Sequence, residues 1–157
     1  MNSNTKRINW KCLRFNDLKL EELYELLFLR SEVFVVEQNC VYQDIDFKDQ
    51  KAYHLLGTNE EGRLIAYTRL FGLDEYFDGY TAIGRVITHA DFRKYGFGVD
   101  LMEKSIEKCL ELYGNHPIKI GAQKYLTKFY GGLGFKEIGE DYIEDGIPHC
   151  IMIRENS

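Results

Sequence analysis

The stretch that decides the fold is Ala82-Ile-Gly-Arg-Val-Ile-Thr-His-Ala-Asp-Phe-Arg-Lys-Tyr-Gly-Phe-Gly-Val-Asp-Leu-Met102. Its first part, Ala82 to Thr88, is apolar and β-branched, the composition of a buried strand. From Val99 to Tyr113 the apolar residues Met102, Ile106, Cys109 with Leu110, and Tyr113 recur at the spacing of one helix face. Between strand and helix lies Arg93-Lys94-Tyr95-Gly96-Phe97-Gly98. Two glycines let a bound group approach the backbone closely. The first amides of a helix are unpaired donors at its positive end, and Arg93 and Lys94 add full charge. A phosphate or pyrophosphate suits such a place. A dinucleotide fingerprint is excluded because Leu101 stands where the third glycine is needed, and the Walker pattern is absent.

Working outward, the 157 residues are enough for one domain with a real core, expected over 1–157. Apolar residues make up 45% and there are only two prolines, which excludes a disordered chain. A net charge of −5 argues against nucleic acid or an anionic membrane surface as partner. Cys12, Cys40, Cys109 and Cys150 form no metal-ligand spacing and no disulfide framework, so reduced thiols are expected. The N-terminus has no apolar run of a signal peptide, and a cytoplasmic protein is the expectation.

Along the chain, Ile8–Phe15 alternates as a first strand. A helix follows from an Asp17 cap, with Leu20, Leu23, Leu26, Leu27, Arg30, Val33 and Phe34 on one face, and fades through Val33–Val36. The acidic loop from Glu37 to Asp49 lacks the glycine and terminal glutamate of a calcium loop, and no metal is expected there. Ala52–Gly57 and Leu64–Leu73 read as a hairpin. After the glycine-loop helix come a strand at Ile118–Gln123, a short helix at Leu126–Leu133, a strand at Phe135–Gly139, a turn at Glu144–Pro148 and a terminal strand at Cys150–Ile153. The order implies an α/β (mixed α+β) domain with helices on both faces of a mixed sheet.

The pattern Arg-x-x-Gly-x-Gly after such a strand resembles the coenzyme A pyrophosphate loop of the GNAT acyltransferases. Phe129-Tyr-Gly-Gly-Leu-Gly-Phe135 resembles the short-helix signature of the same superfamily. The segments Arg30–Cys40, Tyr42–Asp46, Ile83–Val86, Ala122-Gln123 and Glu144–His149 resemble its ElaA-type branch, so the likeness spans nearly the whole chain. Departures are Val41 and Phe47, where the branch has Pro and Gly, and Tyr95 and Phe97 in the glycine loop, where smaller or charged residues are usual. The resemblance implies a GNAT-like acyl-CoA N-acyltransferase fold with a central, mostly antiparallel sheet.

It further implies N-acetyl transfer from acetyl-CoA to a primary amine of a small molecule or peptide by direct attack, with a non-catalytic CoA-binding module as the alternative and homodimer formation left open. Arg93, Lys94, Tyr95, Gly96, Phe97 and Gly98 would hold the pyrophosphate; Val86, Ile87 and Thr88 would pair with the pantetheine arm. Tyr130 would protonate the departing thiolate, a phenol near pKa ~10 needing no large shift, with Tyr125 as rival. For the amine proton, Glu37, Asp44, Asp46, His54 and His149 are candidates, or a water chain. His54 equally reads as a core histidine. Glu37 and Gln38 belong to the acceptor side. Arg69 and Arg85 interrupt apolar strands, where each either pairs within the sheet or reaches a carboxylate of the acceptor. Gln123 either satisfies local backbone or lines the cleft.

Overall fold

The computed structural model describes residues 7–156, whose seven strands form one sheet in the order β1-β2-β3-β4-β5-β7-β6. The strands are β1 (Asn9–Arg14), β2 (Tyr53–Thr58), β3 (Leu64–Phe71), β4 (Thr81–Thr88), β5 (Ile118–Gln123), β6 (Lys136–Glu144) and β7 (Ile147–Arg154). All neighbours run antiparallel except β4 and β5. That parallel pair is joined only at Thr81 with Ile118 and Ala82 with Lys119, after which the two strands part. The parting opens the sheet at its middle, and the cleft described below lies there.

Helices cover both faces. On one side α2 (Phe97–Tyr113) seals Leu70, Ile83, Ile118, Ile120 and Met152 with Met102, Ile106 and Cys109. The short α3 (Thr127–Gly131) adds Tyr130 to the same cluster. On the other, α1 (Leu20–Arg30) buries Leu26 and Leu29 against Leu56, Tyr67 and Ile87. Each such aliphatic side chain contributes about 1.5–3 kcal/mol on burial. Strand β3 is buried at every position because both of its faces are covered, which erases the alternation of a half-exposed strand.

Several boundaries differ from the sequence expectation. Asp17 does not cap α1: it lies in a 3-10 turn, Phe15–Asp17, and pairs with Arg14 at 3.8 Å. The cap is Lys19, whose backbone N–H donates to Glu22 at 2.8 Å. The β-branched run after Arg30 does not fray but winds on as a π-helical segment, Ser31–Glu37. Helix α2 starts at Phe97 rather than Val99, so Gly98 belongs to its first turn. Helix α3 is shorter than Leu126–Leu133, and β6 and β7 are longer than expected. The turn between them is Asp145-Gly146 alone, both at positive φ (51° and 79°), a two-residue hairpin turn.

Candidate active site

Strand β4 carries a bulge where it passes β3: Tyr67 pairs with Ile87 but Arg69 pairs with Gly84, leaving one extra residue on β4. Arg85 within it has φ 51°. The bulge bends β4 away from β5, and a cleft of ≈230 Å³ occupies the gap. Val86, Thr88, Gln123, Tyr130, Glu37 and Gln38 all border it, as do Arg85 and His149. Ile87 does not, its side chain being buried towards α1.

The glycine segment reaches the cleft through Arg93, while Tyr95, Gly96, Phe97 and Gly98 are not among the residues that line it. Gly96 has φ 77°, a left-handed turn that leads directly into α2, whose first amides have no acceptor within the helix. A Cβ at Gly98 would meet Phe129 Cζ at 3.7 Å and Thr88 Oγ1 at 3.8 Å, ordinary van der Waals contact, so the start of α2 lies beside the end of β4. Phe97 is buried in the core and cannot meet a ligand with its ring, whereas Tyr95 is exposed. The Lys94 side chain lies outside the described ones. Arg93 donates from Nε to Thr88 O at 2.9 Å, and its two terminal nitrogens donate to the two carboxylate oxygens of Glu37. A loop cation and a carboxylate from the π-helical segment thus meet across the cleft.

Tyr130 is 6% exposed, and its ring packs edge-on against Phe129 and Phe135. Burial pushes the phenol up to about 12, above the ordinary value expected from sequence. It therefore stays a neutral donor throughout the physiological range. Tyr125, the rival, borders the same cleft but is 76% exposed. His149 donates from Nδ1 to Ile147 O at 2.7 Å and stacks on Tyr142. That bond assigns the tautomer and leaves Nε2 as an acceptor. Cys40 Sγ–H donates to Asp145 O at 3.4 Å, tying the loop after the π-helical segment to the β6–β7 turn.

The acidic loop has a structural occupation. Asp44 accepts from Arg30 Nε at 2.8 Å and from Arg85 Nε at 2.7 Å. Asp46 accepts from both terminal nitrogens of Arg69, and Asp49 from Arg30 and Arg69 at 2.7 and 2.8 Å. Burial alone would raise the carboxyl groups of Asp46 and Asp49, but hydrogen bonds and charge from the arginines outweigh it and hold both well below the usual range. Asp44, Asp46 and Arg69 therefore stand together outside the lining of the cleft, and only Arg85 reaches it. His54 is fully buried, accepting at Nδ1 from Tyr67 Oη (2.6 Å) and donating from Nε2 to Asp49 O (2.9 Å). Burial lowers its basicity, and it is a core histidine rather than a base.

Sequence reasoning missed Asp49 and the buried role of Arg30, although an arginine on the apolar face of a helix was the available signal. It also missed Tyr142, Glu144 and Asp145, which follow a strand that was read too short.

The acetyltransferase (GNAT) domain family matches residues 16–155. Protein ElaA of Escherichia coli is 43% identical over 150 residues, covering 94% of this chain and 97% of that protein. A UPF0039 protein of Synechocystis sp. is 42% identical, covering 93% of this chain and 94% of that one. Among solved structures, an acyl-CoA N-acyltransferase from Pseudomonas aeruginosa superposes with TM-score 0.89 at 41% identity, covering 94% of this chain and 99% of the other. The crystal structure of E. coli ElaA gives 0.87 at 42% identity, over 95% and 100%.

Proposed function

The chain belongs to the GNAT acetyltransferase family, and from that premise we propose that it moves an acetyl group from acetyl-CoA to a primary amine by direct attack within the β4–β5 cleft. The observation that carries this reading is a convergence. The free edge of β4, Arg93 of the glycine segment and the neutral donor Tyr130 border one gap in the sheet, and α2 begins four residues beyond Arg93.

The residues present fit coenzyme A. Phe97, Gly98 and Val99 offer backbone amides at the helix start for a pyrophosphate, with Arg93 and the Lys94 position beside them. The β4 edge at Val86–Thr88 offers strand-like hydrogen bonds to an amide-bearing arm. When bound, the thioester supplies an activated acyl carbon and a good leaving group, so no metal is required.

The chain's own residues do the rest. The cleft walls hold an amine against that carbon, replacing a bimolecular encounter by a positioned one. Tyr130 donates its phenolic proton to the departing sulfur. Glu37 and His149 are the proton acceptors on the amine's side; Glu37 is already engaged by Arg93, while His149 Nε2 makes no hydrogen bond with the described residues. Such chemistry, the four free cysteines and the absence of any helix long and apolar enough to cross a membrane among the described residues accord with a cytoplasmic enzyme.

The test is thermal unfolding with acetyl-CoA, with ATP and NAD as controls, followed by thiol release with a panel of amines. A ligand at a hundredfold excess over its dissociation constant stabilises by about 2.7 kcal/mol. A shift with acetyl-CoA alone is expected. No shift removes the cofactor assignment, and a shift without turnover of any amine leaves a CoA-binding module.

A further inference from the structure

A second hollow opens off the cleft, and none of the roles above uses it. It encloses ≈260 Å³ and shares Ile83, Gly84, Arg85, Gly121 and Glu144 with the cleft. Its walls are the rings of Phe71, Tyr76, Phe77 and Tyr142. Tyr76 stacks on Phe71 with centroids 4.9 Å apart and meets Phe77 edge-on at 4.8 Å. Arg69 lies over Phe71 at 5.1 Å, Lys119 over Phe77 at 4.8 Å, and Tyr142 stacks on His149, and the ring edges and faces left over make an apolar lining that suits an aromatic side chain.

Two guanidinium groups complete it. The terminal nitrogens of Arg69 are held by Asp46 and Asp49, but Nε is the one buried side-chain polar atom without a partner among the described residues. Opposite it stands Gly84, at which even an added Cβ would remain 4.0 Å away. Arg85 lies at the mouth, bordering both hollows, with its side chain 18% exposed. Asp44 fixes its Nε and Nη2, at 2.7 and 2.8 Å, and Nη1 makes no hydrogen bond with the described residues. Its charge is paired with Asp44 and, at 3.6 Å, with Asp46, and the open Nη1 is an oriented donor from which a carboxylate can accept. On the cleft side, Glu144 and Asp145 face the same space with negative charge that favours an ammonium, while Glu37 is paired with Arg93.

We propose that the acceptor is an aromatic α-amino acid, with its ring in this hollow, its carboxylate on Arg85 and its amine in the cleft beside Tyr130. The inference rests on the acetyltransferase reading and names its substrate class. The amine nitrogen bonds to the acetyl carbon as the carbon–sulfur bond breaks. One ammonium proton passes to solvent before attack, and a second is balanced by protonation of the sulfur. The products are the N-acetyl amino acid, the free thiol and one proton.

The experiment measures thiol release by the full chain with acetyl-CoA and L-phenylalanine, L-tyrosine, phenethylamine, L-alanine or spermidine. Phenethylamine keeps the ring and lacks the carboxylate; alanine does the reverse. Phenylalanine or tyrosine is expected to exceed both by about tenfold or more in kcat/KM, the scale of one charged hydrogen bond or one seated ring. In Arg85→Gln the ratio of phenylalanine to phenethylamine should fall towards one. In Gly84→Val, which narrows the mouth, the ratio of phenylalanine to alanine should fall. Each variant is first checked for an acetyl-CoA thermal shift, and the wild-type panel decides even if a variant fails to fold. Preference for spermidine or alanine, or an unchanged ratio in Arg85→Gln, overturns the proposal while leaving the acetyltransferase intact. Absence of both acetyl-CoA shift and turnover overturns the enzyme reading and this one with it.

Discussion

At the scale of single residues, Tyr130 shows how a side chain is tuned by its seat. It lies between Phe129 and Phe135 with its ring buried, and desolvation raises the phenol to about 12. A donor so placed is protonated at every working pH, and the same dry surroundings destabilise the departing thiolate it must neutralise. Replacing Tyr130 by Phe removes the proton and little volume. We expect kcat to fall about a hundredfold with the dissociation constant for acetyl-CoA unchanged, measured by steady-state kinetics and calorimetry. An unaltered kcat would assign proton delivery to Tyr125 or to water.

Arg30 makes the complementary point. Its guanidinium is fully buried, held by Asp44 and Asp49. Arg30→Met would leave two buried carboxylates without this partner, and breaking such a pair costs about 3–5 kcal/mol. Denaturant unfolding should show the midpoint falling accordingly. A loss under 1 kcal/mol would mean that the network rearranges around Arg69 and Arg85.

At the scale of elements, function depends on irregularities. The bulge at Arg85 turns β4 from β5, and the π-helical segment carries Glu37 to Arg93. Gly96 turns the chain at φ 77° directly into the start of α2. Any residue with a Cβ loses about 1–2 kcal/mol in the left-handed region. Gly96→Ala is therefore expected to lower stability by that amount and to weaken acetyl-CoA binding as the turn relaxes. Thermal unfolding and titration calorimetry read the two effects separately.

At the scale of the whole molecule, three arginines and three aspartates clamp the 44–49 loop to the open middle of the sheet. Asp46 and Asp49 are held below their ordinary range, so their contribution to stability is full above the unfolded carboxyl pKa of about 4. It is lost progressively as pH falls below that value towards the folded ones. Stability should thus be flat with respect to these two groups from neutral pH down to about 5 and fall steeply below about 4. Asp49→Asn should flatten the acid limb while lowering stability at neutral pH. Urea midpoints across pH 3–7 test both.

Much was determined by the sequence alone. The strand–glycine–helix order of Ala82 to Tyr113 and the apolar periodicities carried the α/β class, because each is a local pattern that needs only neighbours in the chain, and the resemblance of the glycine loop and of Phe129–Phe135 to the GNAT motifs carried the fold. Tyr130, Val86 and Thr88 were expected at the cleft from that resemblance, whereas Gln123 and His149 were left open between cleft and local roles until the structure placed both on its wall. Tertiary structure alone decided the partners of the charges. Arg93 meets Glu37, Asp44 meets Arg30 and Arg85, and His54 is enclosed by Tyr67 and the Asp49 carbonyl. A charged side chain in sequence has many candidate partners. Burial removes water as the default one and leaves the few groups that folding brings within 3 Å, so whether a carboxylate serves chemistry or structure is settled by contacts that no local pattern encodes.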